Sequence, residues 1–346
     1  MTTQTTPALG NVIAPNPAWV AKLTEPALEP ALPIVDPHHH LWQRTGNDYM
    51  FHDLLADTQT GHNIVGTVFV DCHSMYRKDG PAELRCVGET EFANGVAAMS
   101  ASGIYGNLRA CAGIVSHVDL RLGAKAGAVF DAQIAAGNGR FKGIRYQTGW
   151  DADPGIRNSR TDPTPRLTTD KTWREGFKEL AKRDLTFDAW LYHPQLGEIA
   201  DLADAFPGTS IVLDHVGGPL GYASYASRHD EVRATWKKSM AELARRPNIS
   251  VKMGGLGMAM GWFDFYRRPA PPSSQMLADA FRPWVETCIE LFGANRCMFE
   301  SNFPVDKITS GYGVLWNAFK RLAAKASAAE KTALFSGTAS RVYKLA

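Results

Sequence analysis

Pro33-Ile-Val-Asp-Pro-His-His-His-Leu-Trp42 is a short apolar run that turns abruptly into imidazoles. Ile34 and Val35 read as the start of a buried strand. Beyond them Asp36, His38 and His40 fall two apart, and an extended chain puts alternate residues on one face. Two histidines so placed can reach one cation, because neutral imidazole is a ligand for zinc, manganese and iron. A polar strand end with hydrogen-bonded histidines is the plainer reading, and for an isolated His-x-His it would win. Here further histidines close later strand-like runs, which favours chemistry over structure.

Working outward, β-rich runs of strand length recur at Thr67–Met75, Leu108–Val115, Phe141–Tyr146, Leu185–His193, Ser210–His215, Ile249–Met253 and Arg296–Asn302, each followed by polar or Gly-containing residues. Between the later runs, apolar residues repeat at helical spacing: Trp173, Phe177, Leu180 and Ala181; Ile199, Leu202, Ala203 and Phe206; Val232, Trp236, Met240 and Leu243; Leu277, Phe281, Val285, Cys288 and Leu291. These stripes are core. Ser327-Ala-Ala-Glu330 has the form of a capping box opening the last helix, with Gly337 expected to end it. Strands alternating with amphipathic helices imply a parallel sheet, and eight such repeats imply closure into a barrel. The expected fold class is therefore α/β, a (β/α)8 TIM barrel over residues 33–346, preceded by an N-terminal extension over 1–32. Two insertions, Trp150–Thr169 and Met253–Pro272, follow strands and should lie over the C-terminal mouth. The second, rich in Gly and Met, reads either as a mobile lid with an apolar underside or as a subunit contact.

Three motifs carry a family resemblance: Asp36-Pro-His-His-His-Leu-Trp42, Leu213-Asp-His-Val-Gly-Gly-Pro219 and Met298-Phe-Glu-Ser-Asn-Phe-Pro304. From about Ile34 to the C-terminus the chain resembles the amidohydrolase superfamily, and within it the amidohydrolase-2 group that includes sugar lactonases and a pyrone-dicarboxylate lactonase. The resemblance implies a (β/α)8 barrel with its chemistry at the C-terminal strand ends. It also implies metal ligands at His38, His40, His193 and His215, for one divalent ion, zinc or manganese. Metal-independent catalysis stays open, since some lactonases of this group work without one. The departure is Asn302, which stands where relatives carry an aspartate. An amide is not basic near neutral pH, so another carboxylate must activate water. Asp306 in the loop beyond is preferred, with Glu300 as a deeper ligand or a charge partner to Lys252. No lysine suited to carbamylation ends the fourth strand, where Arg145 and Tyr146 stand, so a bridged two-metal centre is not expected.

The catalytic set is thus Asp306, Glu300 and His215, with His73, Arg145, Lys252 and Asn302 contacting substrate. Arg145, assisted by Arg77 or Lys252, suits a substrate carboxylate. The expected reaction is hydrolysis of a small cyclic ester, a lactone carrying a carboxylate or an apolar ring. A metal-dependent aromatic-acid decarboxylase and an idle ligand-binding barrel are the alternatives.

Bulk properties agree with a small-molecule enzyme. The 346 residues are 45% hydrophobic and 21% charged, as in a globular protein long enough for a barrel with insertions. A net charge of +2 with no basic run argues against nucleic acid. The five cysteines, Cys72, Cys86, Cys111, Cys288 and Cys297, are scattered and never form C-x-x-C, so reduced thiols are expected. Residues 1–32 lack the basic start and apolar core of a signal peptide, and no run reaches the roughly 20 apolar residues of a spanning helix. A cytoplasmic homo-oligomer without a membrane partner is expected. The opening segment, with Pro7, Pro15, Pro17, Pro26 and Pro30 interrupting helix, reads as an arm on the barrel or a neighbouring subunit, or as a disordered tail; Val12, Ile13, Trp19, Val20 and Leu23 give it something to bury.

Overall fold

The computed structural model describes residues 13–345, so Pro7 and Val12 lie outside the described residues. Eight strands, β1 (Pro33–His39), β2 (Asn63–Val70), β3 (Arg109–Ser116), β4 (Phe141–Gln147), β5 (Thr186–Trp190), β6 (Ile211–Leu213), β7 (Ile249–Met253) and β8 (Cys297–Phe299), pair in sequence order. Every pairing is parallel. The ring closes just beyond β8, where Asn302 N–H donates to His38 O at 2.9 Å and His40 N–H donates to Phe303 O at 2.8 Å. The fold is the expected α/β barrel.

The two faces of each strand have different tasks. Ile34, Phe69, Ile114, Ile144, Phe187 and Phe299 belong to the main buried cluster with the helix stripes. Val35, Val68, Val70, Val115, Val212 and Met298 form a second cluster, joined by Tyr343 from the C-terminal end. That division is the period-two alternation of a sheet with both faces covered.

The helices follow their predicted stripes. Lys171–Ala181 buries Trp173, Phe177 and Leu180, and its N-cap Asp170 accepts from Trp173 N–H at 2.8 Å. Leu196–Ala205, His229–Ala244 and Ser274–Phe292 bury Ile199 and Leu202, Trp236 and Met240, and Phe281 and Val285 respectively. The capping box is present, with Ser327 N–H donating to Glu330 Oε2 at 2.8 Å and Glu330 N–H donating to Ser327 Oγ at 3.3 Å. Gly337 does not end that helix: it has φ −66° in a π-helical turn running straight into Thr338–Val342.

One irregularity positions the site. From Asp36 to His39, β1 spends three residues opposite the two steps of β2 from Thr67 to Phe69. The extra residue, at Pro37, flips the alternation. Asp36, expected to share a face with the histidines, therefore turns outward, where it accepts from Ser301 N–H at 3.0 Å and from the Tyr312 hydroxyl at 2.9 Å.

Ile13 reaches the cavity at the barrel mouth, and from Trp19 onward the segment packs on the outer helices and loops. The Trp19 indole donates to Arg268 O at 2.8 Å, and Lys320 Nζ donates to Leu28 O and Glu29 O at 2.7 and 2.9 Å. All five cysteines are buried free thiols. Among the described residues no helix is long and apolar enough to cross a membrane.

Candidate active site

Glu300, one residue past β8, clamps two imidazoles. Its Oε2 lies 2.8 Å from His38 Nδ1, and its Oε1 lies 2.7 Å from His215 Nδ1 while also accepting His215 N–H at 3.2 Å. His40 Nδ1 is 2.8 Å from Val70 O. A carboxylate and a carbonyl oxygen only accept, so the Nδ1 atoms of His40 and His215 carry the proton and their Nε2 atoms are left with lone pairs. The Nε2 atoms of His38 and His40 face each other at 3.3 Å.

Two cations stand close by. Lys252 Nζ is 2.6 Å from Asp188 Oδ2 and 3.2 Å from both Asp214 Oδ1 and His38 Nδ1. Arg145 Nε donates to Asp71 Oδ1 at 2.7 Å, and its Nη1 is 3.3 Å from His38 Nε2. Burial opposes every charge here, yet Asp188, Asp214 and Glu300 hold Lys252 in its charged form. Burial likewise pushes Glu300 upward, but His215 and His38 overcome it and bring the carboxyl to about 2. Burial and Lys252 hold His38, and burial and Arg145 hold His40, well below the usual imidazole range. Both are therefore neutral, the form that binds metal.

These residues fit a divalent ion. Two nitrogens about 2.0–2.1 Å from a tetrahedral centre lie roughly 3.3 Å apart, the spacing of the His38–His40 pair. The Nδ1 protons of His40 and His215 are held by oxygen acceptors, the usual support of a ligating histidine. Asp71, Asp188, Asp214 and Glu300 outnumber the two cations, and among the described residues Asp71 Oδ2, Asp188 Oδ1, both Asp214 carboxylate oxygens and Glu300 Oε2 have no hydrogen-bond partner. His38, Asp214 and His215 also offer ligand atoms within 4.8 Å of one another. However, the Nδ1 side of His38 is already filled by Glu300 and Lys252, and its Nε2 faces His40 and Arg145.

Several sequence-based placements do not hold. His193 is not brought to this cluster: β5 stops at Trp190, and His193 Nδ1 accepts from Leu220 N–H at 3.3 Å while its ring meets Tyr225. Trp190 takes that place instead, with its ring 4.7 Å from that of His215. His73 is also displaced, because β2 ends at Val70 and a left-handed turn (φ 59°) sends its ring against Tyr76 and His117. Asp71 occupies the strand end. Neither Asp306 nor Glu300 reaches the cavity. Asp306 is buried behind Asn302, accepting Asn302 Nδ2–H at 2.8 Å and Gly257 N–H at 3.0 Å. His215, Arg145, His40 and Asn302 do line it.

His215 owes its position to an unusual backbone. It and Val216, Gly217 and Gly218 all have positive φ (52°, 48°, 77° and 60°), which costs the glycines nothing but at His215 and Val216 is strain of the kind that clusters at functional sites. Gly255, itself at φ 67°, lies where any Cβ would strike the His215 ring. The cavity above holds about 160 Å³ and is roofed by both insertions, through Arg157–Arg160 and Met258–Met260.

Burial pushes Asp306 up to about 7, against His215 and its two hydrogen bonds. Its unfolded value is about 3.9. Between about pH 4 and pH 7 the folded chain keeps a proton that the unfolded chain releases, so this contribution to stability falls as pH rises through that window. Asp306→Asn should remove that slope from denaturant-unfolding curves. It should also keep turnover within about tenfold, whereas loss of a general base costs about 10²–10⁴-fold.

The sequence pattern of the family described as Amidohydrolase matches residues 35–345. The chain belongs to the amidohydrolase family. This amidohydrolase is 33% identical over 334 residues to the uncharacterised protein y4mH of Sinorhizobium fredii, spanning 90% of this chain and 98% of that one. It is 28% identical over 207 residues to an L-fucono-1,5-lactonase of Burkholderia multivorans, spanning 60% of this chain and 64% of the lactonase. A crystal structure of an amidohydrolase from Burkholderia multivorans shares the fold, with TM-score 0.69, 24% identity, and coverage of 90% and 99% of the two chains. Another crystal form, also 24% identical and with the same coverage, has TM-score 0.68 and carries zinc.

Proposed function

We propose that this amidohydrolase opens a cyclic ester by water attack, with His215 as the general base, Glu300 as the group that orients it, and His38 and His40 as metal ligands. The observation that carries the reading is the Glu300 bridge, 2.8 Å to His38 Nδ1 and 2.7 Å to His215 Nδ1. It fixes the tautomer that aims the His215 lone pair away from the carboxylate, while His215 lines the cavity. The role corresponds to the carboxylate–histidine pair of hydrolytic triads. The lactonase relatives support the choice of ester.

In the first step His215 Nε2 takes a proton from water as the oxygen attacks the lactone carbonyl carbon. Glu300 stabilises the resulting imidazolium. The Arg145 guanidinium, held in place by Asp71, faces the developing oxyanion. The ring C–O bond then breaks, the His215 proton passes to the departing alkoxide, and a hydroxy acid leaves. His38 and His40 would hold a zinc or manganese ion, which when bound would supply Lewis-acid polarisation of the carbonyl.

The test is a lactone panel followed by acid release, run beside hydroxybenzoates followed by carbon dioxide release, with and without chelator. Acid release is expected, with purified protein carrying about one metal per chain and His40→Ala carrying almost none. Carbon dioxide without acid would make the protein a decarboxylase; neither product would make it an idle barrel.

A further inference from the structure

Among the described residues the cavity lining contains Arg44, Arg145, Arg157 and Arg160 and no aspartate or glutamate. The cations expected to meet a substrate carboxylate are already matched. Arg145 pairs with Asp71, Lys252 with Asp188 and Asp214, and Arg77 lies out on the surface against Glu91. Arg44 and Arg160 differ. Both donate to one acceptor, the Cys72 carbonyl, Arg44 Nη2 at 2.9 Å and Arg160 Nη1 at 2.5 Å. Among the described residues neither is in an ion pair with a carboxylate.

We propose that Arg44 and Arg160 form a subsite for a carboxylate carried by the substrate, so that the lactone opened here is an acid lactone and its product a hydroxy dicarboxylate. The proposal rests on the lactonase reading for the reaction, and on the two arginines alone for the anion.

Two like charges converging on a single carbonyl oxygen repel, and an incoming carboxylate relieves that repulsion. A guanidinium has five N–H donors in a planar fork, so one bond to Cys72 O leaves most of each fork available. Arg44 is also pre-oriented: its Cζ lies 3.9 Å from the centre of the Trp42 ring. That ring stacks in turn on His40 at 5.6 Å, with 19° between the planes. One aromatic ring therefore separates the subsite from a histidine at the reacting centre. This suits a carboxylate borne directly on a small lactone ring.

The probes are γ-butyrolactone carboxylate, its carboxamide, and glutarate as a non-reacting dicarboxylate. Wild type should favour the carboxylate over the carboxamide by about 100-fold in kcat/KM, the scale of charge-assisted hydrogen bonding. The double variant Arg44→Gln, Arg160→Gln should bring that ratio near parity. Arg44→Lys keeps the charge without the fork and should fall between, and added salt should weaken the preference. Unfolding curves establish that the variants remain folded. A wild-type ratio near one, or a ratio unchanged in the double variant, would overturn the subsite while leaving the lactonase reading intact. If neither lactone is opened but glutarate binds in calorimetry and the double variant loses it, the lactonase reading falls and the subsite stands. No lactone opening and no glutarate binding would remove both.

Discussion

Glu300→Gln should lower kcat by about 10³–10⁴-fold with the fold intact, the cost seen when a carboxylate orienting a catalytic histidine becomes an amide. The size follows from the double contact. Glu300 Oε1 accepts from the His215 ring and backbone N–H while Oε2 lies 2.8 Å from His38 Nδ1, and glutamine keeps only one of those oxygens. The amide would present N–H to one histidine and force its Nδ1 to accept. That ring would then turn its proton toward the cavity, where a lone pair is needed. If the donor faces His215 the base is lost, and if it faces His38 the metal ligand is weakened. Loss of such an outer contact typically costs 10–100-fold in metal affinity, so zinc titration should separate the two effects. A variant with nearly normal kcat would remove Glu300 from the chemistry.

The largest effect on stability is expected at Lys252. Its ammonium, fully buried, sits between Asp188 and Asp214 and lies 5.3 Å from the centre of the Tyr343 ring. The Tyr343 hydroxyl donates to the same Asp188 oxygen at 2.7 Å, tying the chain's last helical segment to the barrel interior. Lys252→Met fills the volume but strands two carboxylates without their cation. Removing one partner of a buried pair costs about 3–5 kcal/mol. Equilibrium urea unfolding should show a loss of that order, and adding Asp188→Asn should recover part of it, since the two residues touch and their effects are not additive. A loss below about 1 kcal/mol would place Lys252 among weak surface-like pairs.

The barrel was legible because its period was. Val-rich runs alternating with stripes such as Trp173–Phe177–Leu180 leave little choice of architecture. Strand ends were less legible. Runs extending to Met75, His193 and Asn302 are apolar or β-rich enough to read as continuous, but the structure ends them at Val70, Trp190 and Phe299. Sequence periodicity carries no information about the left-handed turn that removes His73, or the helical turn that begins at His193. The bulge that separates Asp36 from His38 is similarly hidden, although Pro37 marks the place. Asp188 did leave a signal: a charge within Thr-Phe-Asp-Ala-Trp must be paired if that strand is buried. Tyr343 left none, because its partner is 155 residues away. Asn302 stands where the family carries an aspartate, and the carboxylate expected to replace it, Asp306, lies behind Asn302 rather than on the cavity.

The central claim is that water bound at this mouth attacks a lactone carbonyl. Single-turnover hydrolysis in heavy-oxygen water, with product analysed by mass spectrometry, tests it most directly. One labelled oxygen in the newly formed carboxylate and none in the hydroxyl is the predicted result. Label in the hydroxyl instead, or no turnover of any lactone offered, would contradict it.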